Sequence, residues 1–170
     1  MERGIRIYNY RLNELKTYLF VALFVTGNIV LPQLCHLLPD GGKILLPIYF
    51  FTLIASYKYG LRVGLLTAVL SPIVNSLLFG MPTTIVLPLI LVKSIILAIT
   101  ASYVANKTKK ISLINLLIII LTYQLLGSLT EWAITSSLYI ATQDFRIGIP
   151  GMILQLILSF LILNFSKDNN

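Results

Sequence analysis

Residues 88–98 read PLILVKSIILA, and the lysine in that run, Lys93, is the only charged side chain between Thr83 and Ala105. About 20 consecutive apolar residues cross the hydrocarbon core of a bilayer as a helix, so this stretch is expected to span a membrane. Lys93 then falls about ten residues from one end, roughly 15 Å deep at 1.5 Å per residue. An ammonium at that depth costs roughly 2.5–3.5 kcal/mol on insertion scales. It is therefore expected to face the bundle interior, a partner or water, which makes it a functional candidate.

The same reading extends outward along the chain. Of 170 residues, 57% are hydrophobic and 11% charged, more apolar surface than a soluble core of that size can bury. Apolar runs bounded by Gly, Pro and charge predict spans over 16–35, 44–57, 60–79, 83–105, 111–141 and 147–165. The expected architecture is an all-α integral membrane protein, a six-transmembrane-helix bundle forming a single membrane domain over 1–170. Residues 1–15 form an amphipathic lead-in; the opening MERGIRIYNYRLNELKTY carries charges of both signs and does not resemble a signal peptide. The second run is short for a crossing, and the fifth is long enough to tilt or to break near Gly127.

With the N-terminus inside, Arg3, Arg6, Arg11, Lys16, Lys58, Arg62, Lys107, Lys109, Lys110 and Lys167 fall on the cytoplasmic side, leaving only Lys43 and Arg146 outside. Six crossings make both termini cytoplasmic. The net charge of +7 is thus a matter of topology, since the basic residues are scattered among apolar runs rather than gathered into a nucleic-acid-binding face. Gly60, Gly64 and Ala68 recur at every fourth position, as do Ser94, Ala98 and Ser102, and span one offers Ala22 and Thr26. Small residues at that interval let helices approach closely, in the first instance within the bundle.

Counted from the turn near Thr108, Lys93 and Gln124 are expected at equal height on antiparallel spans four and five, with Glu131 about two turns higher. Gln124, Gly127, Ser128, Glu131 and Thr135 follow helical spacing, so span five carries one polar stripe rising to the outer surface. That stripe predicts a wet or ligand-filled cleft. Two readings of Lys93 and Glu131 stand side by side. They pair directly, as buried charges often do. Alternatively they bracket a small molecule, the ammonium taking an anion and the carboxylate taking hydroxyl, amide or amine donors.

Asn75 lies close to Pro72, whose missing N–H opens a bend, and its amide suits either a ligand or an interhelical hydrogen bond. Trp132 reads as an interfacial anchor or as a lid. His36 and Asp40 fall in the first outer loop, where PDGG makes a turn and the length is enough to fold over the cleft. One histidine and one aspartate do not make a metal site. The GGK at 41–43 lacks the spacing of a phosphate loop. HExxH, GxSxG and glycosidase-like carboxylate pairs are absent from the sequence, so no catalytic residue, metal or cofactor is expected. Cys35, the single cysteine, can form no internal disulfide.

Residues 44–82, ILLPIYFFTLIASYKYGLRVGLLTAVLSPIVNSLLFGMP, followed by a fourth helix, resemble the substrate-binding S components of energy-coupling factor (ECF) vitamin transporters. The likeness is greatest to the pantothenate-like branch, in which Leu-Pro opens span two, Tyr-Gly or Trp-Gly ends it, and a Ser-Pro helix closes at Gly-Met-Pro. It covers residues 44–105.

The resemblance implies a vitamin-capturing protein of a bacterial or archaeal cell membrane that associates with a transmembrane T component and two cytoplasmic ATPases. Such proteins topple in the bilayer to release substrate inward. Ala22 and Thr26 match the small pair that meets the T component, threonine replacing the usual alanine. The substrate would sit near Asn75, Glu131 and His36, with Gln124, Ser128 and Trp132 on the same face and Lys93 as its floor. A carboxylate-bearing, vitamin-like molecule is the expected cargo. The alternative is a multi-span scaffold of the rod-shape cell-wall machinery; an ion-coupled carrier ranks last, because no inverted second half is visible.

Overall fold

A computed structural model describes residues 7–166, which are helical throughout their regular structure, with no strand among them. In chain order the helices are α1 (Leu15–Cys35), α2 (Gly41–Leu45), a 3-10 turn (Pro47–Tyr49), α3 (Phe50–Tyr59), α4 (Leu61–Phe79) and α5 (Leu87–Thr108), then α6 (Leu113–Thr135), α7 (Leu138–Ala141), α8 (Gln143–Ile147) and α9 (Ile149–Phe165). Four of these, α1, α4, α5 and α6, are long and apolar enough to cross a membrane. The 17 residues of α9 and the 10 of α3 are shorter.

Two predicted runs divide. The run 44–57 breaks at Leu46, whose left-handed backbone (φ 47°) ends α2, and Pro47 then starts the 3-10 turn that leads into α3. The run 111–141 breaks at Ser136 (φ 52°), after which Ser137 caps α7 by accepting from the Ile140 N–H at 3.4 Å. Serine hydroxyls offer the backbone such local partners, which is why a Ser-Ser pair ends a helix that apolar residues alone would continue. Gly127, where a break was the alternative to a tilt, lies inside an unbroken α6.

The shortest of the bundle helices is also the most enclosed. Every residue of α3 from Thr52 to Lys58 is buried, and Leu53, Ile54, Ala55 and Tyr57 join Leu97 and Ala101 of α5 and Leu116, Ile119 and Ile120 of α6 in one core. A helix apolar on all sides is stable only when surrounded. By contrast α1 buries a single stripe, Thr17, Val21, Phe24, Asn28, Pro32 and Cys35, and leaves Leu19, Leu23, Val30 and Leu34 exposed. Ser94, Ala98 and Ser102 are buried on α5, as internal packing requires. Gly64 lets α4 lie directly on α3: a Cβ there would collide with Ser56.

The bundle has two distinct ends. At the basic end Tyr8 donates its N–H to the Lys58 carbonyl at 2.8 Å, and the rings of Tyr8, Tyr10, Phe20 and Tyr59 stack over the α3–α4 turn. The Tyr57 hydroxyl reaches the Lys110 carbonyl at 2.5 Å, and Lys58 Nζ donates to the Ser166 carbonyl at 2.9 Å. Residues 7–14 thus form a strap against the bundle; Arg3, Arg6 and Lys167 lie outside the described residues. The loop end carries the 36–46, 80–86 and 136–148 connections, with Lys43 and Arg146. Gly64→Leu is expected to force α3 and α4 apart and to cost about 1–3 kcal/mol, an overpacking penalty read as a lowered unfolding midpoint in detergent.

Candidate functional site

Lys93 extends from α5 across α6 at Gly127, where any side chain would overlap its Cγ. Six residues, about 9 Å of helix, separate it from the loop-end terminus of α5 at Leu87, so it lies nearer that end than the apolar run suggested. The helices are also offset by one turn from the expected register. Lys93 sits opposite Gly127 rather than Gln124, which brings Glu131 within reach of its stem.

The ammonium meets two carboxylates. Nζ donates to Glu131 Oε2 of α6 at 2.6 Å and to Asp144 Oδ2 of α8 at 2.9 Å, with side-chain exposures of 5%, 12% and 11% for lysine, glutamate and aspartate. Charge-assisted bonds of this length between buried groups are the strong kind. Of the two readings of Lys93 and Glu131, the direct pair is the one observed. Asp144, in a connection read from sequence as an outer loop, is the partner that sequence reasoning missed; only its sign, an acid in an otherwise apolar and basic neighbourhood, hinted at it.

One layer further along α6 lies a second polar group. Tyr123 donates its hydroxyl to Gln155 Oε1 of α9 at 3.0 Å, Gln155 Nε2 donates to the Tyr49 carbonyl at 3.3 Å, and Gln124 Nε2 donates to the Tyr123 hydroxyl at 3.3 Å. The Tyr49 and Tyr123 rings lie 5.2 Å apart. Gln124 is therefore part of an interhelical network, while Ser128 is buried with its hydroxyl unpaired. The polar stripe of span five is internal to the fold over Gln124 to Glu131. Trp132 is 45% exposed. Ala22 and Thr26 are exposed on α1.

Open space is found at the loop end, between α1, α4 and α5. A cavity of about 530 Å³ is bounded by Pro32 and Gln33 at the end of α1, by His36 and residues 38–43, and by Pro47 and Ile48 of the 3-10 turn. Asn75 of α4 lines it, with Thr83, Val86 and Ile90 opposite. His36 and Asn75 are thus brought to one cavity, and Lys93 and Glu131 do not line it.

The connection between α1 and α2 forms a wall of the cavity. His36 Nε2 lies where a Cβ on Gly42 would approach to 2.7 Å, and Asp40 accepts from Lys43 at 3.0 Å with both side chains more than half exposed. Behind that wall, α2 rests on the start of α9 at Gly151, where a side chain would strike the Leu45 backbone. Among the described residues no three His, Cys, Asp or Glu side chains gather as a metal-ligating group.

Removing one member of a buried ion group strands the others and costs about 3–5 kcal/mol, whereas replacing all members by neutral groups is far milder. Lys93→Ala is therefore expected to destabilise the bundle by about that amount. The triple variant Lys93→Met, Glu131→Gln, Asp144→Asn is expected to recover most of the loss in equilibrium unfolding in detergent. A Lys93→Ala protein as stable as the parent would remove the charge cluster from the stabilising framework.

No protein-family model, curated protein or solved structure matches the chain, so what the site does is argued from its own geometry.

Proposed function

We propose that the chain is a solute-capturing subunit of a membrane importer, an S component of the ECF type in a bacterial or archaeal cell membrane. It takes a small vitamin-like molecule from outside into the loop-end cavity. The cavity carries this reading: about 530 Å³, mostly apolar walls and a few polar groups, within the roughly 300–1,000 Å³ of small-molecule sites. In this account the basic end faces the cytoplasm, as the excess of Lys and Arg there favours, and the loop end faces out.

Six crossings are completed by α9 and by Pro47–Tyr59, the 3-10 turn with α3. The latter is short, yet it is enclosed by α1, α4, α5 and α9, and a segment buried in protein need not match the lipid thickness. Energy comes from a T component and two cytoplasmic ATPases, with the exposed Ala22 and Thr26 on α1 as the docking pair. The chain itself performs no chemistry on its cargo. Lys93 braces the bundle rather than holding an anion, which removes the physical ground for preferring a carboxylate-bearing cargo at that position.

The test is to purify the chain in lipid nanodiscs and identify retained small molecules by mass spectrometry. One compound near stoichiometry is expected from the parent and none from Val86→Trp, which fills the cavity. Equal retention by both would move the site elsewhere. Copurification with ATPases is expected; copurification with cell-wall synthesis proteins in their place would instead indicate a scaffold.

A further inference from the structure

We infer that the cavity is built for a ligand presenting an uncharged N–H or O–H donor to Asn75, and not an anion; this rests on the cavity being a solute site. Asn75 is 1% exposed. Its Nδ2 donates to the Asn28 carbonyl of α1 at 2.8 Å and to the Ser71 carbonyl one turn back at 3.0 Å. Backbone carbonyls only accept, so two of them sharing one amide nitrogen fix which end of the side chain is which. Both hydrogens are spent, and Oδ1 is left facing the other way.

That oxygen is buried and has no partner. A buried acceptor without a donor is costly, and most such groups in folded proteins are paired. Asn75 lines the cavity, so a guest entering it is the group able to supply the missing donor. The amide has no hydrogen to offer an anion, and a carboxylate beside a bare carbonyl oxygen is repelled.

Gln33, His36 and Thr83 add neutral polar groups to the lining, and much of the rest is apolar. Pro32, Pro47, Ile48, Val86 and Ile90 give the cavity an apolar body. Among the described residues Lys43 is the only lysine or arginine lining it, and that ammonium is paired with Asp40 at the exposed mouth. Asn75 itself is rigidly placed, because Asn28 is fixed in turn: its Nδ2 donates to Thr52 Oγ1 at 3.0 Å and Ser71 Oγ at 3.1 Å, while its Oδ1 accepts the Phe51 N–H at 3.2 Å. The guest that fits is compact and largely apolar, with an amide, amine or alcohol donor at its inner end and any charged group directed to the mouth.

Three probes of one skeleton separate the possibilities: benzamide, N,N-dimethylbenzamide and benzoate, titrated against the protein in nanodiscs by saturation-transfer NMR. Benzamide is expected to bind about tenfold more tightly than its dimethyl analogue, the worth of one paired buried acceptor, with benzoate weakest. Asn75→Leu should bring benzamide and the dimethyl analogue to parity, and Val86→Trp should abolish saturation transfer to all three.

Parity of the two amides in the parent, benzoate binding as well as benzamide, or an unchanged ratio in Asn75→Leu overturns the donor assignment. With Val86→Trp still blocking the signal, the cavity stands as a site. Absence of transfer from every probe, or indifference to Val86→Trp, overturns the cavity itself. Should Asn75→Leu fail to fold, the ratio of the two amides in the parent still decides.

Discussion

An ammonium inside an apolar bundle has to find anions within the reach of its own four-carbon stem, because neither water nor lipid tails will compensate it. For Lys93 that requirement selects a groove, at Gly127, and two partners, Glu131 and Asp144. The second partner matters most for the architecture. Asp144 belongs to α8, in the connection between α6 and α9, so pairing it draws that connection down onto the bundle. The same segment then buttresses the connection that follows α1, since a Cβ on Gly148 would lie 2.9 Å from Leu46 Cδ1 and Gly151 abuts Leu45. The loop is one wall of the cavity. A charge cluster that does not line the cavity therefore supports its shape through two close contacts, one to the Leu46 side chain and one to the Leu45 backbone.

Polar groups in this bundle divide into those that hold helices together and those left for something else. Asn28 ties α1 to α3 and α4, and Tyr123, Gln124 and Gln155 tie α6 to α9 and to the backbone at Tyr49. These networks do the work that hydrophobic association does in water, where apolar side chains gain by leaving solvent; among lipid tails they have no such gain. Asn75 stands between the two classes. Its nitrogen is structural and its oxygen is idle, and the idle half lies on the side chain that lines the cavity. The proposed function draws on that division, with the charged groups as framework and the cavity as the proposed place for a guest.

Several features were legible from residue order alone. The helical, membrane-type character follows from runs of apolar residues, and α1 and α4 begin and end within a residue of the runs 16–35 and 60–79. The burial of Lys93 and the close packing at Gly64 were accessible because each depends on depth or on spacing along one helix, whereas the pairing of Lys93 with Glu131 stood only as one of two readings. What lay beyond reach was relative placement. Helical periodicity says which face a residue is on but not how far one helix slides against another, so Gln124 and Gly127 exchanged roles over a single turn.

Whether a loop residue returns to the core is likewise a matter of contacts distant in sequence, which is why nothing local beyond its sign marked Asp144. The position of the cavity, at the meeting of four separate segments rather than along the polar stripe of α6, was decided only when α2, α4 and α5 were packed together. Local physics sets each element and the sign of its faces. The register between elements, and the space they leave, come from the packing of all of them at once.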